Sequence, residues 1–184
     1  YTGGIWDYGV IDSGIDDTHP ALSDHPFTEC TCLAAAGNPA QDPTADDVNG
    51  HGTHVAGIVS STDSTYRGVA YGHEQLVNGK AAYDLDGNDG GQATMYYSDA
   101  MACTDWAIST GGADVVNLSY GSCASADDSL FARFWDAVVS DTLVPVTIAA
   151  GNYNPNNPCT RYVEDPGIAY NAVSYTHLTL PTKA

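Results

Sequence analysis

Residues 10–15 read Val-Ile-Asp-Ser-Gly-Ile, and this stretch does most to decide the fold. Its apolar residues predict a buried strand, and a carboxylate, Asp12, stands where that strand ends. Parallel sheets place their binding and catalytic groups at this carboxyl end of the strands. Ser13-Gly14 provides a turn that leaves the carboxylate facing a crevice. An Asp that only caps the turn is the plainer interpretation of the same residues.

Apolar runs alternate with stretches typical of helices along the rest of the chain, which predicts an α/β fold with a parallel sheet. The last two predicted strands are almost continuously apolar, as expected for strands that are covered on both faces. We predict strands at residues 5–12, 75–82, 114–119 and 143–150, and helices at residues 52–60, 96–110 and 125–141.

Length and composition exclude several classes of protein. The 184 residues suffice for the core of one domain, and 43% of them are hydrophobic, which argues against low-complexity disorder. No apolar run reaches the roughly 18–20 residues that a membrane span needs. The chain has 23 Asp and Glu against 5 Lys and Arg, a net charge of −18, and such a surface repels nucleic-acid phosphates. We therefore expect no nucleic-acid partner and no membrane span.

A histidine, His51, opens the segment His-Gly-Thr-His-Val-Ala-Gly at residues 51–57. The small residues that follow predict a helix that can approach a sheet closely. A histidine at such a helix start is held in position yet open on one side, as a general base must be. His54 lies one turn later, but a metal site with His51 would lack a third ligand. We therefore interpret His54 as a packed, hydrogen-bonded neighbour.

A third segment, Ala-Ala-Gly-Asn at residues 149–152, ends an apolar run on a glycine and an amide. Asp12 is followed by Ile-Asp-Asp-Thr-His-Pro at residues 15–20, and His51 lies in His-Gly-Thr-His. In this order the segments resemble those of the subtilisin-like serine proteases, the subtilases or peptidase S8 family. The resemblance implies catalytic roles for Asp12, which orients His51; for His51, the general base; and for Asn152, whose amide binds the oxyanion. A structural Asn in a turn is the plainer interpretation of Asn152.

The resemblance covers residues 4–174 and implies a subtilisin-like three-layer α/β/α sandwich with a mostly parallel sheet. The family's Gly-Thr-Ser-Met-Ala-like segment, which carries the nucleophilic serine, is missing, so the C-terminal part of the fold is expected to be missing as well. Residues 173–182 resemble a translated sequencing adapter. We therefore expect a truncated catalytic domain at residues 1–174 and an artefactual tail at residues 175–184, the alternative being an unusual C-terminal strand.

The resemblance also implies where a peptide substrate binds. Residues 117–121, Asn-Leu-Ser-Tyr-Gly, match the family's substrate-binding strand, whose exposed backbone edge pairs with an extended peptide. Gly121 keeps the primary specificity pocket open, and the end of the strand before Asn152 forms its other wall. A Gly-Gly pair before the second helix lines the cleft, unless it is only a flexible turn. The implied substrate-binding residues are Leu118, Ser119, Tyr120, Gly121, Ala149, Ala150, Gly151, Gly90 and Gly91.

An oxygen-rich turn, Asp-Leu-Asp-Gly-Asn-Asp-Gly at residues 84–90, suits a hard cation. An EF-hand loop that began at Asp84 would have Met95 at its twelfth position rather than Glu, so that motif fails. Calcium held by Asp84, Asp86 and Asp89 as a structural ion is one interpretation, and a solvated turn is the other.

The five cysteines show no zinc-ligand spacing, which favours disulfides or a free thiol over a metal site. Cys30 and Cys32 lie too close together to pair comfortably. Cys123 and Cys159 form the pair that we would test first. The odd count predicts either a free thiol or a partner beyond this chain.

Together these features predict a fragment of a serine endopeptidase that acts on peptide or protein substrates, needs no cofactor for its chemistry and is a monomer. The family resemblance implies a secreted or cell-surface protein whose signal and pro-segment lie outside this chain. Without the serine, these 184 residues alone are expected to have little peptidase activity. The alternative is a non-catalytic, subtilase-like module that binds peptides or is stabilised by calcium.

Overall fold

The computed structural model describes residues 2–33, 44–84, 93–123, 129–152 and 163–176. The chain divides into two units, Tyr1–Ser119 (unit 1) and Tyr120–Ala184 (unit 2). Unit 1 holds, in chain order, β1 (Tyr8–Asp12), β2 (Phe27–Thr31), α1 (His51–Ser60), β3 (Leu76–Lys80), β4 (Ala82–Tyr83), β5 (Thr94–Met95), α2 (Tyr97–Ser109) and β6 (Val115–Leu118). Unit 2 holds α3 (Leu130–Thr142), β7 (Val146–Ala149) and β8 (Val173–Tyr175).

The main sheet of unit 1 has the strand order β2-β3-β1-β6, and every neighbouring pair is parallel. In its register Ile11 lies opposite both Gly79 and Leu118, and Asp12 lies opposite Lys80. The carboxyl ends of β1, β3 and β6 therefore meet at one edge of the sheet. Asp12 lies at that edge.

The two long helices of unit 1 cover opposite faces of this sheet. Ala56 of α1 packs in a core cluster with Val10, whereas a Cβ built at Gly79 would contact both Ile11 and Cys103 of α2. Successive residues of a strand point to opposite faces, so Val10 and Ile11 mark the two sides. Unit 1 is thus layered helix, sheet, helix.

In unit 2, helix α3 packs through the side chain of Trp135, which is fully buried. The helix begins cleanly because the Ser129 hydroxyl accepts a 2.8 Å hydrogen bond from the Ala132 N–H, as an N-cap residue does. Strands β7 and β8 pair in parallel, and the Ala150 N–H donates a 2.6 Å hydrogen bond to the Tyr175 carbonyl. Residues 177–184 lie outside the described part of the chain, so the artefactual tail stays a prediction.

The predicted α/β class and the mostly parallel sheet are confirmed. The strand boundaries were predicted too wide, because the first strand begins only at Tyr8 and Ile5 is 71% exposed in the preceding turn. Strand β2 was not predicted. Its side chains are half-buried or exposed rather than alternating, so it lacks the pattern that reveals a strand.

One disulfide crosses unit 1, joining Cys32 after β2 to Cys103 of α2. Cys30 is a free, half-buried thiol, and burial raises its pKa. The pair predicted first, Cys123–Cys159, includes Cys159, which lies outside the described residues. Among the described helices, none is both long and apolar enough to cross a lipid bilayer.

Candidate active site

Asp12 is a buried carboxylate at the end of a buried strand. It is 4% exposed, and Val10 and Ile11 before it belong to the core. The Ser13 N–H donates a 2.8 Å hydrogen bond to Asp12 Oδ1, which orients the carboxylate. The strand therefore delivers a fixed negative charge to the edge of the sheet.

His51 is the first residue of α1, and its Nδ1 lies 2.7 Å from Asp12 Oδ1. An ionised carboxylate only accepts hydrogen bonds, so Nδ1 donates and Nε2 of the neutral ring stays unprotonated. The His51 side chain is 53% exposed, whereas that of Asp12 is 5% exposed. The pair therefore presents a basic nitrogen in front of a buried carboxylate, the arrangement that a general base requires.

The helix can begin this close to β1 because Gly52 has no side chain. A Cβ at Gly52 would overlap the Gly14 carbonyl oxygen and lie 3.1 Å from the Asp12 Cβ. Gly50, the N-cap residue, has φ 91°, a left-handed conformation that favours glycine. Gly52 is thus required for space, whereas Gly50 is favoured by its left-handed backbone conformation.

Asp47 connects the turn after Asp12 to the first turn of α1. Its carboxylate accepts five hydrogen bonds of 2.7–3.0 Å, from the Ser13 hydroxyl, the Asn49 and Gly50 N–H groups, and the N–H and hydroxyl of Thr53. The Ser13 hydroxyl in turn accepts a 3.0 Å bond from the Gly52 N–H. Burial alone would raise the pKa of Asp47, but the hydrogen bonds from Thr53, Gly50 and Asn49 outweigh it and hold the pKa below its ordinary value.

Asp47 was not predicted from the sequence. The available signal was an Asp placed a few residues before a helix start, a position from which a carboxylate can satisfy free N–H groups of the first turn. Because Asp47 binds both segments that carry the Asp12–His51 pair, it is a positioning residue for that pair.

Removing the Asp47 carboxylate is expected to destabilise the protein. In Asp47→Ala the N–H groups of Gly50 and Thr53 lose their acceptor, and we expect the free energy of unfolding to fall by about 1–3 kcal/mol. The native pKa is depressed, so this contribution is present above the unfolded pKa and is lost as pH falls through the native pKa. Urea titrations at neutral and at acid pH measure the difference.

Asp63→Ala is the matched control for this prediction. Asp63 also accepts backbone hydrogen bonds in a turn, from Thr65 and Tyr66, but it is fully exposed. Its removal should cost much less than the removal of Asp47. Equal losses for the two variants would contradict the connecting role of Asp47.

The pKa of His51 is raised above its ordinary value of 6.5, chiefly by the hydrogen bond to Asp12. Partial burial acts in the opposite direction and is outweighed, and the negative charges of Asp12 and Asp47 add to the rise. A raised pKa makes the ring a stronger base.

Replacing the acceptor should lower this pKa. In Asp12→Asn we expect the His51 pKa to fall from its raised value toward or below 6.5, because the anion is gone while burial remains. The stability that the ion pair contributes is present below the unfolded pKa and lost as pH rises through the native pKa, so the variant is weakened at acid pH. Histidine NMR titration measures the shift, with Asp63→Asn as control. An unchanged His51 pKa in Asp12→Asn would show that the carboxylate does not set it.

The other predicted site residues lie at strand ends. Leu118 ends β6 and is fully buried, and the Ser119 hydroxyl accepts a 2.8 Å hydrogen bond from the Asn117 amide. In unit 2, Ala149 ends β7 and Gly151 has φ 98°. The other predicted site residues that the structure describes differ in exposure. Ala150 is buried, Tyr120 and Gly121 are half-buried, and Asn152 is exposed.

Several predicted residues lie outside the described part of the chain, namely Gly90, Gly91, Asp86 and Asp89. Asp84 is described, and it accepts a 2.8 Å hydrogen bond from the Asn49 amide. Within the described ranges, no three His, Cys, Asp or Glu side chains gather closely enough to hold a metal ion.

The interpretation of His54 as a packed neighbour was wrong, because the structure exposes it. Helix α1 buries Gly52, Ala56 and Ser60, which recur every four residues and face the sheet. His54 lies outside that stripe.

The chain matches the Subtilase family profile over residues 9–180. Among curated proteins, it is 32% identical over 187 residues to the minor extracellular protease Vpr of Bacillus subtilis (strain 168), covering 98% of this chain and 21% of Vpr. It is 34% identical over 152 residues to subtilisin amylosacchariticus of Bacillus subtilis subsp. amylosacchariticus, covering 83% of this chain and 35% of that protein. The chain thus spans only about a fifth to a third of these relatives.

Solved structures share the fold. The prenylagaramide maturation protease PagA superposes with a TM-score of 0.67 at 19% identity, covering 92% of this chain and 52% of PagA. Fervidolysin from Fervidobacterium pennivorans, described as a keratinolytic enzyme related to subtilisin, gives a TM-score of 0.60 at 24% identity over 90% of this chain and 23% of fervidolysin. These likenesses confirm the predicted subtilisin-like α/β fold.

Proposed function

The chain belongs to the subtilase family of serine peptidases, and from that premise we propose that it comes from an endopeptidase in which Asp12 and His51 activate a serine nucleophile. One observation carries the proposal: the 2.7 Å contact between His51 Nδ1 and a buried Asp12 carboxylate, with the far side of the ring exposed.

In the proposed reaction the serine hydroxyl attacks a peptide carbonyl while His51 Nε2 takes the hydroxyl proton. Asp12 keeps the ring in the required tautomer and stabilises the imidazolium that forms. The imidazolium then protonates the leaving amine, and the same base activates the water that releases the acyl group. Asn152, exposed after a glycine in a left-handed conformation, is proposed to donate its amide to the oxyanion.

We assign the nucleophile to a serine that these 184 residues do not contain. The serines whose hydrogen bonds are described have other partners. Ser13 is bonded to Asp47, Ser119 accepts from Asn117, and Ser129 caps a helix.

The proposed substrate is an extended peptide that pairs with the backbone edge of residues 118–121. Residues 149–151 would form the opposite wall of the primary pocket, and Gly90 and Gly91 would line the cleft.

We also propose that the parent protein is exported. The Cys32–Cys103 disulfide supports this, because such bonds persist in oxidising compartments. The relative Vpr is named an extracellular protease.

The full-length product of the gene tests the proposal. We expect it to hydrolyse an unfolded protein such as casein, and we expect the gene to encode the serine segment that these 184 residues lack. A complete, folded product that cleaves neither casein nor short peptides would refute the proposed function.

A further inference from the structure

A narrow gap in unit 2 separates two glycines, and the Glu164 carboxylate occupies it. A Cβ built at Gly121 would overlap Glu164 Oε2, and one built at Gly151 would lie 2.9 Å from the same oxygen. One carboxylate oxygen therefore lies against both glycine backbones. The Glu164 N–H donates a 2.9 Å hydrogen bond to the Ala150 carbonyl, which anchors Glu164 beside Gly151.

This carboxylate is half-buried. Among the residues that the structure describes, no hydrogen-bond donor or cation contacts it. Burial raises the pKa of Glu164, as expected of a carboxylate that has lost water without gaining a partner. Its neighbour Asp165 differs, because Asp165 Oδ1 accepts a 2.7 Å hydrogen bond from the Ser129 hydroxyl. Within the described ranges, Glu164 is therefore a carboxylate that lacks a cationic or donor partner.

We propose that Glu164 sets the specificity of the primary pocket, so that the protease cleaves after Arg and Lys. The inference rests on the proposed function, since Gly121 and Gly151 form the proposed walls of that pocket. A cationic side chain that enters the proposed pocket and reaches the carboxylate would form a charge-assisted hydrogen bond with it.

A neutral side chain of the same length gains less there. It would bury the carboxylate further without pairing it, and burial of an unpaired charge is unfavourable. The net charge of −18 also attracts basic segments of a substrate, although this attraction does not distinguish one pocket from another.

The test measures kcat/KM of the full-length gene product for peptides that differ only in the residue before the cleaved bond. Lys and norleucine form a matched pair, because norleucine has a similar apolar stem without the charge. We expect Arg and Lys to exceed norleucine by about 10- to 100-fold, the range for a hydrogen bond to a charged group. Alanine and phenylalanine complete the series.

Glu164→Gln then removes the charge while it keeps the size of the side chain. The Lys-to-norleucine ratio should fall by about 10- to 100-fold. Glu74→Gln is the control, because Glu74 is an exposed acid in unit 1 and its loss changes the net charge equally. The ratio should stay within about twofold in that variant, since exposed charges are screened.

A preference for alanine, with no advantage of Lys over norleucine, would overturn the inference and make Glu164 a residue that only fills volume. The wild-type series gives this answer even if the variant fails to fold. Binding of uncleavable analogues of the same peptides separates the proposed function from the proposed specificity. No cleavage but tighter binding of the Arg peptide would refute the proposed function alone, whereas cleavage without basic preference would refute the specificity alone.

Discussion

In His51→Ala, kcat for peptide hydrolysis is expected to fall by about 10⁶-fold, a size taken from the loss that removal of the triad histidine causes in subtilisin itself. The reason is local. The 2.7 Å contact with Asp12 fixes Nδ1 as the donor and leaves Nε2 as the base, and alanine offers no group that can accept the serine proton. The residual rate would come from substrate binding and the oxyanion donors. Steady-state kinetics of the full-length gene product measure the effect.

His54→Ala is the matched control on the same helix. His54 is an exposed histidine one turn after His51, so its removal changes the same side-chain type in the same helix. Its effect on kcat/KM should stay within about threefold, because His54 is exposed and the described hydrogen bond to Asp12 comes from His51. A loss of activity in His54→Ala comparable to that in His51→Ala would contradict the assignment of the base.

Gly52→Ala is expected to displace the start of helix α1 and so to disrupt the Asp12–His51 pair. The added methyl would overlap the Gly14 carbonyl and press on Asp12, so the start of α1 must move away from β1. Overpacking of this kind typically costs about 1–3 kcal/mol of stability. A shift of about 1 Å at His51 would also lower kcat/KM by about 10²-fold, because the reacting groups lose their alignment. Thermal unfolding and kinetics of the same preparation report the two effects separately.

Gly57→Ala makes the same chemical change in the same helix without the clash. A Cβ at Gly57 would have no atom within 4 Å, so only backbone entropy changes. This variant should be more stable than the wild type by about 0.5–1 kcal/mol and keep its activity. If Gly52→Ala behaved like Gly57→Ala, the close approach of α1 to Asp12 would not matter for the site.

The sequence revealed the parts of this structure that depend on local pattern. An apolar run ending in Asp12 and a small-residue helix opened by His51 predicted the strand and the helix, and the family resemblance implied that Asp12 and His51 meet. Hydrophobic periodicity and runs of small residues are short-range signals, so they can be recognised without knowledge of the fold. The boundaries of β1 and α3 were predicted less accurately, because strand and helix ends depend on contacts with distant residues.

Other features depend on residues far apart in sequence and could not be predicted. Cys32 and Cys103 are 71 residues apart, and nothing local pairs them. Glu164 reaches both Gly121 and Gly151 only after the strands are in place. The prediction that His54 is packed was wrong, because helical spacing alone does not show which face of α1 meets the sheet.

The most direct test of the Asp12–His51 assignment is fluorophosphonate labelling of the full-length gene product, read by mass spectrometry of its peptides. A fluorophosphonate reacts with a serine only when a neighbouring base activates it. We predict one labelled serine in the wild type, outside these 184 residues, and no label in His51→Ala. Labelling that persists without the His51 imidazole would show that this pair does not activate the nucleophile.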